Sequence, residues 1–251
     1  MNIYRTFAQL YATGDYPQYS ARIATILPKV MSWLEVTPHT LLDLACGEGT
    51  FVVTMAKQGL VVTGLDQSPE MIALAKEKAE EEGVQATFIR GDMRRLEFSS
   101  SFDFVTCWFD SLNYLLELED LVITFQGVAN ALTEKGFFIF DLNTIYWLVT
   151  LAQRYPCTVE RETEEIFQVH RHSYNFETNI GTFHITGFIK ENDRWLRRVD
   201  ETHKERGYTL EEVRHTIKKA GLQEVACWEN LENQTPHTPQ SRRVFFITQK
   251  I

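Results

Sequence analysis

The chain has 251 residues with 44% hydrophobic and 24% charged side chains, the length and composition of one large domain or one domain carrying an insertion, which excludes a largely disordered or fibrous protein. Its formal net charge of −9 gives no general electrostatic pull toward nucleic acid or an anionic membrane. The longest strongly apolar stretch, 146–152, is far short of the roughly 20 residues of a membrane span, and 1–10 carries no leader pattern, so the cytoplasm is the expected location. Cys46, Cys107, Cys157 and Cys227 are not paired at CxxC spacing, so four reduced thiols are expected.

In chain order, 41–45 is an apolar strand ending in small residues, and 50–58 reads as a helix stopped by Gly59. A second strand covers 61–65. Ser68-Pro69-Glu70 then starts a helix with a cap, a proline at the first position and an acid in the first turn. Strands follow at 86–89 and 102–108, a helix at 118–132 and a fifth strand at 136–140. Alternating strands and helices predict βαβ units, and the strands lack a polar face, as expected when helices cover both sides of the sheet. The pattern changes at about Cys157. Segments 172–177, 182–190 and 195–203 read as antiparallel strands joined by turns at 179–181 and 191–193. A helix at 210–220 and strands at 223–228 and 242–249 close the sheet.

The expected fold is therefore α/β, a Rossmann-like doubly wound and mostly parallel seven-stranded sheet. A small antiparallel insertion follows its fifth strand. Residues 1–141 and 207–251 are expected to form the main domain with an N-terminal helical lid, and 142–206 the insertion, placed to roof a ligand pocket.

The most informative segment runs from Asp43 through Ala45, Cys46, Gly47 and Gly49 to Thr50. A strand ends, a tight glycine turn follows and a helix begins, with Asp66 placed 19 residues after Gly47 at the end of the next strand. That is where a carboxylate accepts from ribose hydroxyls. With Gly47 and Gly49 as the first two glycines of a GxGxxG fingerprint, Val52 occupies the third, so the dinucleotide pattern fails. Asp43 upstream of the turn would repel a pyrophosphate but suits a cation.

This segment resembles motif I of the class I S-adenosylmethionine-dependent methyltransferases, with Ala45 in place of the first glycine. The residues around Asp66 and Gln67 resemble the ribose-binding motif, and Met71 follows on the next helix. Gly91-Asp92-Met93 resembles the motif in which the aspartate accepts from the adenine amino group, and 102–108, ending in Trp108, resembles the fourth motif. The resemblance is close over 41–140. It implies S-adenosylmethionine as cofactor and in-line methyl transfer. Phe109, Asp110, Asn113 and Tyr114 look like the acceptor loop of small-molecule members. Sugar-amine N-methyltransferases are similar in carrying a β insertion and a tyrosine-rich N-terminal segment. That likeness implies contacts from Tyr11, Tyr19 and Arg22 to the methionine part of the cofactor, with Arg22 pairing its carboxylate.

The implied partner is a small-molecule acceptor, with no nucleic acid and no membrane. The sequence leaves open N-, O- or C-methylation, a catalytic base and the oligomeric state. A macromolecular acceptor and a cofactor-binding protein without turnover are the competing readings. Segment 157–206 holds eight Lys/Arg against ten Asp/Glu, so it is no basic arm. His170 and His172 share a strand face, but no Cys or acid completes a metal set in the sequence, and no metal is expected.

Overall fold

Five parallel strands form one side of the main sheet in the computed structural model, which describes residues 4–251. They are β1 (Thr40–Leu44), β2 (Val61–Asp66), β3 (Thr87–Arg90), β4 (Phe102–Cys107) and β5 (Leu132–Asn143), in the order β3-β2-β1-β4-β5. Residues 1–3, the head of the expected lid, lie outside the described residues.

The apolar strands are covered on both faces. On one side pack α2 (Tyr16–Trp33), α3 (Thr50–Lys57) and α4 (Pro69–Glu81), which contribute Leu27, Val30, Phe51, Met55 and Ile72. On the other pack α5 (Leu118–Ala131) and α7 (Leu210–Lys219), through Phe125, Val128, Val213 and Ile217. Ser68 caps α4 by accepting from the Met71 N–H at 3.2 Å, and Thr209 closes a capping box with Glu212 on α7.

Beyond β5 the sheet continues antiparallel with β12 (Arg243–Lys250) and β10 (Leu222–Asn230), the expected closing pair. A two-residue strand, β11 (Thr235–Pro236), adds an eighth member at the edge, too short to register as a periodic pattern in the sequence.

The insertion is a separate four-stranded antiparallel sheet ordered β6-β7-β8-β9. Its strands are Cys157–Glu162, Ile166–Asn175, Ile180–Glu191 and Arg194–Arg206. Two of its features differ from the sequence reading. The stretch 146–152 lies in an amphipathic helix, α6 (Ile145–Arg154), which buries Leu148. Residues 157–162 form β6, an edge strand without a range of its own in the sequence reading, because its side chains are mostly exposed and no alternation of polar and apolar residues marks it.

Asn113 fastens the insertion to the main sheet. Fully buried, it donates from Nδ2 to the Asn143 carbonyl (3.1 Å) and the Arg206 carbonyl (2.8 Å), and its Oδ1 accepts from the Asn143 N–H (3.0 Å). One amide therefore holds both ends of the insertion. Replacing it leaves buried backbone groups unpaired. Asn113→Ala is expected to lower stability by about 3 kcal/mol, read as a shift in urea midpoint at unchanged slope.

Candidate active site

The glycine turn after β1 is built from left-handed backbone. Ala45 has φ 54°, Gly47 φ 55° and Gly49 φ 85°. At Gly49 a Cβ would meet the Ala75 Cβ at 2.8 Å, so glycine is needed both for its conformation and for the close approach of α4. The turn presents the Gly47 N–H to Asp66 Oδ2 (3.0 Å), while the Ser68 N–H donates to Oδ1 (2.8 Å). Each oxygen of Asp66 thus keeps acceptor capacity beyond its backbone partner.

Around this turn lies a cavity of about 320 Å³ at the C-terminal ends of β1, β2 and β4, the position where open α/β sheets bind ligands. Asp43, Ala45, Cys46, Gly47, Asp66, Gln67 and Met71 line one part of it. Gly91, Asp92, Met93 and Trp108 line another, and Tyr11, Phe109 and Tyr114 border it from above. Burial pushes Asp43 up to about 8, against the opposing hydrogen bond from Thr106 Oγ1 at 2.7 Å. Trp108 Nε1 is buried and has no partner among the described residues. Asp92 is gripped by Arg94, whose hydrogen bonds hold its carboxyl below the usual range.

The loop after β4 turns through a second left-handed pair, Phe109 (φ 57°) and Asp110 (φ 55°). Asp141 on β5 holds both, accepting from the Phe109 N–H (2.7 Å) and the Asp110 N–H (3.2 Å). Arg243 on β12 pairs with Asp141 through Nη1 and with Asp110 through Nη2 (2.5 Å), and lies over the rings of Tyr19 and Phe109. Asp110 also hydrogen-bonds Glu205, which is pushed well up by burial first and by the Asp110 charge second. The proton of that pair therefore resides on Glu205, which also accepts from Asn143 Nδ2 at 2.8 Å.

The roof comes from β9 and the N-terminal segment. Glu201 Oε1 accepts from the Thr6 N–H (2.6 Å), the Thr6 hydroxyl (2.7 Å) and the Phe7 N–H (3.0 Å), and Oε2 from the Tyr4 N–H (2.8 Å). His203 Nε2 lies 3.1 Å from Glu201 Oε2, and its Nδ1 lies 3.0 Å from the Tyr114 hydroxyl, which is 3.3 Å from that of Tyr4. Burial opposes ionisation of Glu201, but the hydrogen bonds from His203, Thr6 and Phe7 prevail and hold it at about 2. An ionised Glu201 fixes the proton of neutral His203 on Nε2, so Nδ1 accepts from the Tyr114 hydroxyl.

Four of the residues expected at the site do not line the cavity. Arg22 is displaced from it: its guanidinium is 67% exposed and pairs with Glu232, because α2 turns that position to solvent. Tyr19 stacks on Phe109 at 4.7 Å. Asp110 lies behind Phe109 on Arg243, and Asn113 is spent on the insertion's ends. Conversely, Tyr4, Glu201, His203 and Glu205 were not anticipated. The alternation of Val199, Glu201, His203 and Glu205 was their one signal, and it names a shared face without saying that the N-terminal segment covers it.

The model of a methyltransferase domain matches residues 41–136. The chain is 31% identical over 250 residues to a putative methyltransferase of Geobacillus sp. (strain WCH70), covering 98% of this chain and 99% of that one. It is 26% identical over 215 residues to the dTDP-3-amino-3,6-dideoxy-alpha-D-glucopyranose N,N-dimethyltransferase of Streptomyces fradiae, covering 83% and 78%. Among solved structures, an S-adenosylmethionine-dependent methyltransferase from Clostridium acetobutylicum ATCC 824 superposes with a TM-score of 0.83 at 25% identity, covering 99% of both chains.

Arg243→Met strands two buried carboxylates. The loss of stability is expected to be about 3 kcal/mol at pH 8. Burial raises the Asp110 pKa and the Arg243 charge opposes that rise, so the stabilisation Arg243 provides is present where that acid is ionised and fades as pH falls. Urea titrations of wild type and variant should therefore converge toward pH 4.

Proposed function

Because this chain belongs to the S-adenosylmethionine-dependent methyltransferases, we propose that it methylates the nitrogen of a small-molecule amine. Its cofactor is S-adenosylmethionine. The residues of the cavity fit that group. Asp66 keeps lone pairs for ribose hydroxyls, and Met71, Met93 and Trp108 offer apolar contact to a base. Asp43 becomes a carboxylate once a cation sits beside it. When bound, the cofactor supplies a methyl group on a positively charged sulfur.

The observation that carries the choice of acceptor is the chain of groups from Tyr114 through His203 to Glu201. An amine arrives as an ammonium, and its lone pair attacks only after a proton has left. Tyr114 borders the cavity and takes that proton on its oxygen while passing its own to His203 Nδ1. The imidazolium formed is stabilised by Glu201. Tyr114 is the group that meets the acceptor in this scheme, and His203 and Glu201 act through it. The amino-sugar activity named for the Streptomyces fradiae relative supports the same class. The roof of Tyr4, Tyr11 and Tyr114 over the cavity favours a small acceptor over a polymer.

Calorimetric titration with S-adenosylhomocysteine tests the cofactor site first. Wild type is expected to bind, and Asp66→Ala to bind about tenfold more weakly or worse. Loss of binding in neither or in both would overturn that assignment of Asp66. A panel of small primary amines, with release of S-adenosylhomocysteine as readout, tests turnover. With an accepted amine, Tyr114→Phe should lower kcat by about 100-fold with little change in KM. That deficit should shrink as pH rises and the amine deprotonates in solution. A variant with wild-type rates at every pH would remove Tyr114 from the scheme, and turnover of hydroxyl compounds alone would remove the amine.

A further inference from the structure

Among the described residues outside the cavity, one cluster of ligand-type side chains is left without a role. Glu160 on β6 and His170 and His172 on β7 bring one ligand atom each to within 4.8 Å of one another. We propose that these three residues bind a divalent transition-metal ion of the zinc class, in the roof of the molecule and apart from the methyl-transfer site.

The local fold explains how the set assembles. His170 and His172 point to the same face of β7, as strand alternation requires. The acid comes from the neighbouring strand. Val159 pairs with Val169 and Arg161 with Gln168, so Glu160 is an extra residue in β6. A bulge of this kind re-aims a side chain, and here it brings Glu160 to the two imidazoles. Each ring also has one nitrogen engaged by the protein. His172 Nδ1 donates to the Tyr155 carbonyl at 2.6 Å, and His170 Nε2 lies 2.7 Å from the Gln168 amide. With the Gln168 amide turned so that its oxygen accepts from His170 Nε2 and from the Tyr16 hydroxyl, one nitrogen per histidine is left for an ion, the arrangement around metal-bound histidines. Two imidazoles and one carboxylate form a borderline donor set that suits zinc, with water completing the coordination. His170 is buried while Glu160 is exposed, so the site is anchored inside and open to arriving ions.

The same contacts say what the ion does. Gln168 also meets the Tyr16 hydroxyl at 2.7 Å, and Tyr16 stacks on Tyr11 at 4.7 Å, which borders the cavity. An ion held by β6 and β7 therefore joins the edge of the insertion to the N-terminal cover of the active site.

Titration of the chelator-stripped full-length protein with Zn²⁺ against a chromophoric competitor tests the site. Wild type is expected to bind one equivalent with a submicromolar Kd. Glu160→Gln and His172→Ala should each weaken binding by about 100-fold, whereas His184→Ala, which alters an exposed histidine on β8, should leave it unchanged. With Co²⁺ in place of zinc, wild type should show visible d–d absorption that both ligand variants lack. Circular dichroism verifies that each variant is folded. The proposal fails if wild type binds no more tightly than the two ligand variants, or if His184→Ala loses as much affinity as they do.

Discussion

Arg243 is the cation on which the active end of this molecule rests. It is held, 18% exposed, between two buried carboxylates from different elements, Asp141 on β5 and Asp110 in the loop after β4. A charge removed from water persists only where its partners repay the lost hydration, so strand and loop are bound to a common geometry. Asp141 in turn accepts from the backbone of Phe109 and Asp110, holding two non-glycine residues in left-handed conformations at a cost of order 1–3 kcal/mol each. The direction in which Phe109 and Tyr114 face the cavity follows from that hold. The antiparallel strand at the edge of a parallel sheet is thus more than a lid on exposed hydrogen bonds, because it delivers the guanidinium.

The insertion has two unlike faces. One carries exposed side chains such as Arg171 and Lys190. The other turns Gln168, His170, Glu201, His203 and Glu205 toward the protein. Burying so many polar groups is stable only because each finds a partner: the N-terminal backbone for Glu201, Tyr114 for His203 and Asn143 for Glu205. Dipoles held in this way need not reorganise when charge moves beside them.

The glycine turn and the cavity beside it were legible in the sequence because their constraints are local. A glycine turn, a carboxylate at the end of the next strand and a capped helix occupy a short span of chain, and each leaves a residue-type signature. The parallel core was legible for the same reason, through apolar strands and helices of alternating period. The acceptor side was not. Tyr4, Tyr114, His203 and Glu201 come from three separated regions, and no spacing rule links them. Arg22 shows the converse difficulty. Its type suits a carboxylate, but the rotation of α2 about its axis decides whether it reaches one, and that rotation is set by packing of Ile23, Ile26 and Leu27 on the sheet. The β6 bulge at Glu160 escaped for a related reason, since a single extra residue changes no composition.

One consequence follows from the buried amide of Asn113. It grips the carbonyls of Asn143 and Arg206, so the chain leaves the main sheet and returns to it at almost the same point. Closing a loop whose ends are already adjacent demands little of whatever lies between them. The segment after β5 is in this sense a cassette, replaceable in length and sequence without disturbing the parallel strands or the glycine turn. Changes can accumulate in that segment while the parallel strands stay fixed, which separates the history of the inserted sheet from that of the one beneath it.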